Sequence, residues 1–299
     1  MRVKEPGRVT ERVEFLGNYD MSLYLIKGHE YLIIGGGMSY IAPTLDEQLS
    51  KLDVDLDRVR YLVIPHSHFD HCGSVPYLRR RLPHLEVLAS VYAKEVLVKP
   101  TVVDFIARVN REMIDRLGLQ EEYERLNLKF DGVQVDRVVA DGDTLDLGDG
   151  IRAHFAEVPG HSKCCIATYL PQLRALFPTD SIPLPSDVGG ELSHPSAQFD
   201  FSAYMESLRK LLRYDVQLVG LDHKGVFLHD QAQDLMRRAW AQTERTRDYI
   251  LEQYEKIGDL DKTAEKLAAE VFEKNDLAYM SRDLMVSITK SMIASLVKS

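Results

Sequence analysis

Short apolar runs separated by polar turns dominate the first half of the chain and predict β-strands. These strands are expected at 13–17, 22–28, 30–34, 60–65 and 85–90. Apolar residues at helical spacing predict helices at 40–52 and 75–82. The segment 66–74 therefore connects a buried strand to a helix, and it begins with His66.

The second half repeats this arrangement. Apolar residues recur every three or four positions over 92–129, which predicts an inserted helical layer. A helix at 204–212 and a long helical tail at 231–298 follow later. The later strands are expected at 138–147, 151–158, 165–169, 175–177 and 216–221. Because strands precede helices twice, the pattern predicts an α/β fold, namely a two-sheet αββα sandwich with a C-terminal helical extension.

Composition and charge narrow the class of protein. The 299 residues are 45% hydrophobic and 28% charged, which is typical of a soluble globular protein. The net charge of −9 disfavours a nucleic-acid partner, because such partners are attracted by a basic field. No secretion signal or membrane span is recognisable. Three cysteines, an odd number, predict no disulfide framework and a reducing, cytoplasmic location.

One hexapeptide concentrates ligand-type side chains: His66, His68, Asp70 and His71. The pattern H-x-H-x-D-H arises by chance in about one chain in a thousand of this length. Side chains two residues apart on an extended segment point the same way, so His66 and His68 can share a metal ion. Asp70 and His71 follow where the loop turns, and they can face a second ion.

Two ions need more than four ligands, and ligand-type residues do follow three later strands. His161, Asp180 and His223 each come after a strand and a turn. Packing alone gives no reason for such residues to recur after successive strands. The seven residues therefore predict one site that binds two divalent metal ions.

The order H-x-H-x-D-H, His, Asp, His over about residues 8–228 resembles the metallo-β-lactamase superfamily, in the branch with glyoxalase II. The resemblance implies that one ion is bound by His66, His68 and His161. It implies that the other is bound by Asp70, His71 and His223, with Asp180 bridging. Aspartate rather than cysteine at the bridging position makes the chain less similar to the antibiotic-degrading β-lactamases.

Several stretches resemble more narrowly the quinolone-signal response thioesterases of this superfamily, which act on aroylacetyl-coenzyme A. They are 68–73, 76–78, 81–83, 87–90, 140–142 and 204–208, and the helical tail has a similar length. Since every candidate ligand precedes the tail, we expect residues 1–229 to form the catalytic domain. Residues 230–299 are then a helical cap that packs on this domain and shapes its pocket.

Two positions depart from the family pattern. Members often carry an acidic residue at the end of the second strand, which hydrogen-bonds a ligand histidine, but this chain has Gly35–Gly37. The ligand must then be oriented from elsewhere, and the glycines are expected to allow a close approach to the metal loop. Thr179 replaces the usual glycine before Asp180, a change that we expect to be mild.

The resemblance implies a hydrolase in which a hydroxide between the two ions attacks a carbonyl. Asp70 is the candidate catalytic residue, because it can bind an ion and also orient the hydroxide. A thioester of coenzyme A or glutathione is the leading substrate, since a thiolate leaves with little help from an acid. Zinc and iron both suit five imidazoles and two carboxylates.

Two other functions stay open. A phosphodiesterase or nuclease would use the same metal pair, although the acidic balance disfavours nucleic acid. A regulatory protein would act through a partner, with hydrolysis incidental. Otherwise we expect a small-molecule substrate and no membrane partner, and a homodimer is left open.

Three further features have weaker claims to function. His194 lies in a loop rich in Pro and Gly after Asp180 and is a candidate for contacting the substrate. The cysteines are expected to pack rather than react. Arg79–Arg81 is expected to be a solvated helix face rather than a phosphate site.

Overall fold

The computed structural model describes residues 1–52, 54–186, 192, 196–273 and 281–297. Within these residues, two seven-stranded sheets lie face to face, and helices cover the outer side of each sheet. The layers are therefore helix, sheet, sheet and helix. This confirms the predicted αββα sandwich with a C-terminal helical extension.

The strands are short, and most are buried. In chain order they are β1 (Arg2–Val3), β2 (Gly7–Arg8), β3 (Val13–Gly17), β4 (Ser22–Lys27), β5 (Tyr31–Ile34), β6 (Val59–Val63), β7 (Glu86–Ala89), β8 (Arg137–Val138), β9 (Thr144–Asp146), β10 (Arg152–Glu157), β11 (Ile166–Leu170), β12 (Ala175–Phe177), β13 (Leu218–Gly220) and β14 (Val226–Leu228). The first sheet has the order β2-β3-β4-β5-β6-β7-β8, and the second has the order β1-β14-β13-β12-β11-β10-β9.

The helices follow the predicted positions with some divisions. They are α1 (Ala42–Lys51), α2 (Val75–Arg81), α3 (Val91–Val96), α4 (Pro100–Leu117), α5 (Gln120–Arg125), α6 (Phe201–Leu211), α7 (Asp230–Ile257), α8 (Leu260–Glu273) and α9 (Arg282–Val297). None of these helices combines the length and apolarity needed to cross a bilayer.

Alternation of side chains along each strand builds the core. In β4, Leu23 and Leu25 join the cluster beneath α1, α2 and α4, whereas Tyr24 and Ile26 face the second sheet. The Tyr24 ring packs on Phe177 of β12, with ring centroids 4.8 Å apart. One strand therefore contributes to two hydrophobic layers.

The directions of the strands determine at which edge of each sheet the connecting loops lie. β5, β6 and β7 are parallel to one another, and β12 is parallel to β13. Because β11 is antiparallel to both β10 and β12, the strands β10, β12 and β13 run in the same direction. The loops that follow these three strands therefore leave the second sheet at the same edge.

Two predicted elements are divided in the structure. The helical pattern over 92–129 forms α3, α4 and α5, because Pro100 starts a new helix and Gly118, at a φ of 70°, ends it. The expected strand at 138–147 is wrong as a single element. A turn in which the Asp143 carboxylate accepts from the Ala140 amide redirects the chain, so β8 and β9 lie in different sheets.

The C-terminal helices share their core with the sandwich. α7 packs on the second sheet through Leu235 and Met236, which lie in one cluster with Leu176 and Val219. α8 and α9 pack on α6 and α7. α7 begins at Asp230, the first residue of the expected cap.

Candidate metal centre

All seven predicted ligand residues come together in one cluster. The loop between β6 and α2 carries His66, His68, Asp70 and His71; the loops after β10, β12 and β13 carry His161, Asp180 and His223. Six of the seven side chains belong to buried residues, and His68 is half-buried. The predicted substrate residue His194 lies outside the described residues.

Three histidines form the tightest group. Nε2 of His161 lies 3.1 Å from Nε2 of His66 and 2.9 Å from Nδ1 of His68. Nε2 of His66 lies 3.2 Å from Nδ1 of His68. Three ring nitrogens thus converge on one point, as expected for the first ion.

The second group contains Asp70, His71 and His223. Asp70 Oδ1 lies 3.5 Å from His71 Nε2, and Asp70 Oδ2 lies 3.7 Å from His223 Nε2. Asp180 lies between the groups, with Oδ2 3.4 Å from His161 Nε2 and Oδ1 3.8 Å from His223 Nε2. This is the position that a bridging carboxylate needs.

Backbone carbonyls set the tautomers of two ligand histidines. Nδ1 of His161 donates to the carbonyl of Ser196 at 2.7 Å, and Nδ1 of His223 donates to the carbonyl of Asp20. A carbonyl can only accept, so Nε2 of each neutral ring carries the lone pair. Both lone pairs face the cluster.

Two further side chains lie close to the rings of His66 and His71. The Thr179 hydroxyl lies 3.0 Å from Nδ1 of His66, and Asp222 Oδ2 lies 3.2 Å from Nδ1 of His71. Thr179 therefore gives His66 a polar contact that glycine would lack. The sequence marks Asp222 as an acid directly before a predicted ligand, but it does not show which ring this acid faces.

Burial and charge set the protonation states. Burial, aided by the neighbouring histidines, lowers the pKa of His66 well below its ordinary value and that of His68 to about 3. Burial also lowers the pKa of His161. These rings are therefore neutral at pH 7, which is the state that binds metal.

His71 behaves differently. Burial lowers its pKa, but the carboxylates of Asp70 and Asp180 outweigh burial and raise it well above the ordinary value. Burial raises the pKa of Asp180. The neighbouring histidines outweigh burial and hold this pKa well below the usual range; they are His71, His223 and His161. His71 Nε2 lies 3.3 Å from Asp180 Oδ2, so each group favours the charged form of the other.

The donor set fits divalent metal ions. His71 Nε2 and Asp180 Oδ1 are buried and make no hydrogen bond within the described part of the chain. Buried polar atoms of this kind are costly unless something binds them. With convergent neutral imidazoles and two carboxylates, the group suits zinc or iron.

Close backbone contact holds the metal loop against the first sheet. The amide of Gly73 donates to the carbonyl of Gly37 at 2.7 Å. A Cβ on Gly36 would lie 2.6 Å from the His71 carbonyl oxygen, so this approach requires glycine. The prediction that the glycine run permits close approach is confirmed.

A cavity of about 550 Å³ opens onto the cluster. The residues of the cluster that line it are His68, Asp70, His161, Asp180 and His223. Its walls include apolar side chains of α3, α4, α8 and α9. The volume is typical of a small-molecule site.

Other candidates take structural roles. Arg79 pairs with Asp136, Arg80 donates to the Asn127 carbonyl, and Arg81 pairs with Asp46. The arginine run is therefore tied to neighbouring segments and does not line the cavity. All three cysteines are buried, and burial raises the pKa of the Cys72 and Cys165 thiols, as expected for packing residues.

Comparison with known proteins identifies the family. The model of the metallo-β-lactamase superfamily matches residues 20–223, which contain every one of the seven residues. The chain belongs to the metallo-β-lactamase superfamily. The candidate metal ligands of this superfamily member therefore all lie within the part of the chain that matches the family.

Individual relatives are distant. A metallo-β-lactamase fold-containing protein of Sulfurisphaera tokodaii is 29% identical over 178 residues, which are 57% of this chain and 62% of that protein. An anaerobic nitric oxide reductase flavorubredoxin of Salmonella typhi is 24% identical over 191 residues, 58% of this chain and 34% of that protein. The chain thus spans less than two thirds of the length of either relative.

A solved structure shows the same fold over most of the chain. A metallo-β-lactamase family protein of Thermus thermophilus superposes with a TM-score of 0.64 at 17% identity. The match covers 96% of this chain and 92% of that one. The similarity of fold therefore extends into the C-terminal helices of this superfamily member.

Proposed function

We propose that this protein hydrolyses a thioester of a small molecule, with an apolar acyl group, at a centre of two divalent metal ions. The observation that carries the proposal is the cavity at the cluster. Phe105 and Ile106 of α4, Leu267 of α8, and Met285 and Ile288 of α9 line it. An apolar acyl group would bury its surface against these side chains, at about 25 cal/mol for each Å².

The polar lining supports this choice of substrate. Lys163 and Lys224 are the cationic side chains among the described lining residues, and Lys224 also lies 3.6 Å from Asp20. Two lysines offer little for several phosphates within the cavity. The acyl group would therefore lie inside, while the nucleotide of coenzyme A, or glutathione, points outward.

The seven His and Asp residues of the candidate metal centre would provide the groups needed for hydrolysis. When bound, two divalent ions would polarise the carbonyl and lower the pKa of water towards about 7. His66, His68 and His161 would hold one ion, and Asp70, His71 and His223 the other, with Asp180 between them. Asp70 lines the cavity, where it would accept a proton from water and orient the attack.

The C-terminal helices favour a small substrate over a nucleic acid. α8 and α9 wall the cavity through Leu267 and Ile288, and the chain carries a net charge of −9. A nucleic-acid strand would need an open, basic groove. We therefore propose residues 230–299 as a cap that selects the acyl group. The resemblance to the quinolone-signal response thioesterases agrees with this proposal.

The test compares substrate classes on protein loaded with zinc or with iron. The panel contains acetyl-, hexanoyl-, decanoyl- and benzoyl-coenzyme A, S-lactoylglutathione, a β-lactam and bis(p-nitrophenyl) phosphate. We expect the highest kcat/KM for a thioester with a large apolar acyl group. Metal-loaded protein that leaves every thioester intact, or cleaves the phosphodiester faster, would overturn the proposal.

Matched variants complete the test. Asp180→Ala removes the carboxylate between the two groups and should abolish hydrolysis. Glu265→Gln changes an exposed acid of α8 and should leave the rate unchanged. If a cellular phenotype survives in folded Asp180→Ala protein, the protein acts through a partner rather than by hydrolysis.

A further inference from the structure

A buried carboxylate reaches the metal centre from the second sheet. Asp222 follows β13, directly before His223, and is 4% exposed. Its Oδ2 lies 3.2 Å from Nδ1 of His71, which belongs to the loop after β6 of the first sheet. Oδ2 is buried and satisfied by no hydrogen bond within the described part of the chain. The Nδ1 atom of His71 faces this oxygen at a distance that a small rotation of either side chain would turn into a hydrogen bond.

We propose that Asp222 is a positioning residue for His71, which it holds with Nδ1 protonated and Nε2 turned towards the metal site. A neutral imidazole has one N–H and one lone pair. With the N–H directed at Asp222, the lone pair on Nε2 is left for an ion. Nε2 faces Asp180 Oδ2 at 3.3 Å and Asp70 Oδ1 at 3.5 Å, on the metal side of the ring.

The backbone around Asp222 is fixed by β4. The amide of Ser22 donates to the Asp222 carbonyl at 2.8 Å, and the Tyr24 hydroxyl donates to the Leu221 carbonyl at 2.6 Å. Both donors belong to the first sheet, the sheet whose loop carries His71. The carboxylate therefore has a fixed position relative to the ring that it contacts.

The segment of the first sheet that follows β5 offers no side chain that could contact His71 in this way. The chain after β5 approaches the metal loop as Gly35–Gly37, which offers backbone and no side chain. The amide of Ser74 donates to the Gly36 carbonyl at 3.0 Å, and a Cβ at Gly36 would lie 2.6 Å from the His71 carbonyl oxygen. Asp222 provides from the opposite sheet the carboxylate that the glycines lack.

The expected effect is on the affinity of one ion. Partners of metal-binding histidines raise ligand basicity and fix orientation, and their loss costs about 10- to 100-fold in metal affinity. His71 lies in one group of candidate ligands with Asp70 and His223 and in another with His66 and Asp180, whereas the group of His66, His68 and His161 does not include it. Loss of Asp222 should therefore weaken one of two binding steps and leave the other unchanged.

The test measures zinc affinity without any substrate. Metal is removed from the full chain with a chelator, and zinc is returned in competition with a chromophoric chelator. Asp222→Asn keeps the size of the side chain and removes its charge, and we expect about 10- to 100-fold weaker binding at one step. Asp222→Glu should recover part of the loss. Glu265→Gln is the control for a change of charge alone.

A second measurement determines the tautomer of the His71 ring. In ¹⁵N-labelled, zinc-loaded protein, the tautomer of each histidine is read from the coupling of ring nitrogens to ring protons. We expect His71 to be protonated at Nδ1 in the natural protein and to lose this preference in Asp222→Asn. Unchanged affinity and tautomer in folded Asp222→Asn, or equal weakening of both steps, would overturn the proposal.

The inference rests on the metal centre within the proposed function and is independent of the substrate. If the protein binds two zinc ions but cleaves no thioester, the proposed reaction fails while the Asp222 effect is still measured. If Asp222→Asn binds both ions as the natural protein does, the role of Asp222 fails and the thioester proposal is unaffected.

Discussion

The Thr179 hydroxyl lies 3.0 Å from Nδ1 of His66, although Thr179 has a φ of 52°. A positive φ is unfavourable for a β-branched residue and costs about 1–3 kcal/mol. Glycine would adopt this conformation without cost. The chain therefore retains backbone strain beside the metal centre together with a polar contact to a ligand.

Substitutions at Thr179 should separate strain from metal binding. Thr179→Gly relieves the strain and removes the hydroxyl, so the metal-free protein should gain about 1 kcal/mol of stability while zinc affinity falls. Thr179→Val keeps the shape without the hydroxyl and should only lose affinity, whereas Thr179→Ser should bind zinc almost normally. Urea unfolding and chelator competition measure the two effects. A Thr179→Val protein with unchanged affinity would contradict this account.

Removal of metal should destabilise the protein. The ligand lone pairs are buried, and binding to the folded state alone adds about 4 kcal/mol when the free ion is at 1,000 times Kd. Thermal unfolding with and without a chelator should therefore differ by about 10 °C. His161→Asn should abolish most of this difference. His84→Asn, at an exposed histidine, should preserve it, and equal behaviour of the two variants would refute the assignment.

Acid should destabilise the metal-free protein through His68. The pKa of His68 is about 3 in the folded chain, below its ordinary value near 6.5. The unfolded chain therefore binds more protons between these values, and stability falls as the pH drops from 6.5 towards 3. His68→Asn should reduce the slope by at most about 1.4 kcal/mol per pH unit. Urea unfolding at a series of pH values gives the slope, and an unaltered slope would exclude His68 as its source.

The cavity should limit the size of the acyl group. Ile288 of α9 lines it, so Ile288→Trp should reduce kcat/KM about tenfold or more for decanoyl-coenzyme A and leave acetyl-coenzyme A nearly unaffected. Val297→Trp places the same side chain on an exposed position of α9, outside the lining, and should change neither. Equal losses for the short and long substrates would show that Ile288 does not contact the acyl group.

The metal cluster was predictable from sequence because its ligands follow strands in order. His66, Asp180 and His223 could be placed at strand ends from local pattern alone. The contacts made by Asp222 and Thr179 could not be predicted, since they depend on how the two sheets pack against each other. Long-range geometry of this kind leaves no periodic signal in the chain.

The strands of the fold likewise differ in whether local sequence pattern could predict them. β3, β4, β5 and β6 are long or apolar enough to be recognised. β1 has two residues and β14 has three. They are neighbours in one sheet but come from distant parts of the sequence, so local pattern did not reveal them. The turn at 140–143 moves the chain from one sheet to the other, and this change of sheet depends on tertiary packing that local pattern does not show.

Leu267 and Met292 belong at once to the cavity wall and to the hydrophobic core that joins α8 and α9 to α6 and α7. A molecule that occupies the cavity touches side chains that also hold these helices in place. Occupancy and helix packing are therefore thermodynamically coupled, so tight inhibitors should protect the amides of α8 and α9 from hydrogen exchange. Screening by exchange or by thermal shift would then find ligands even before a substrate is known.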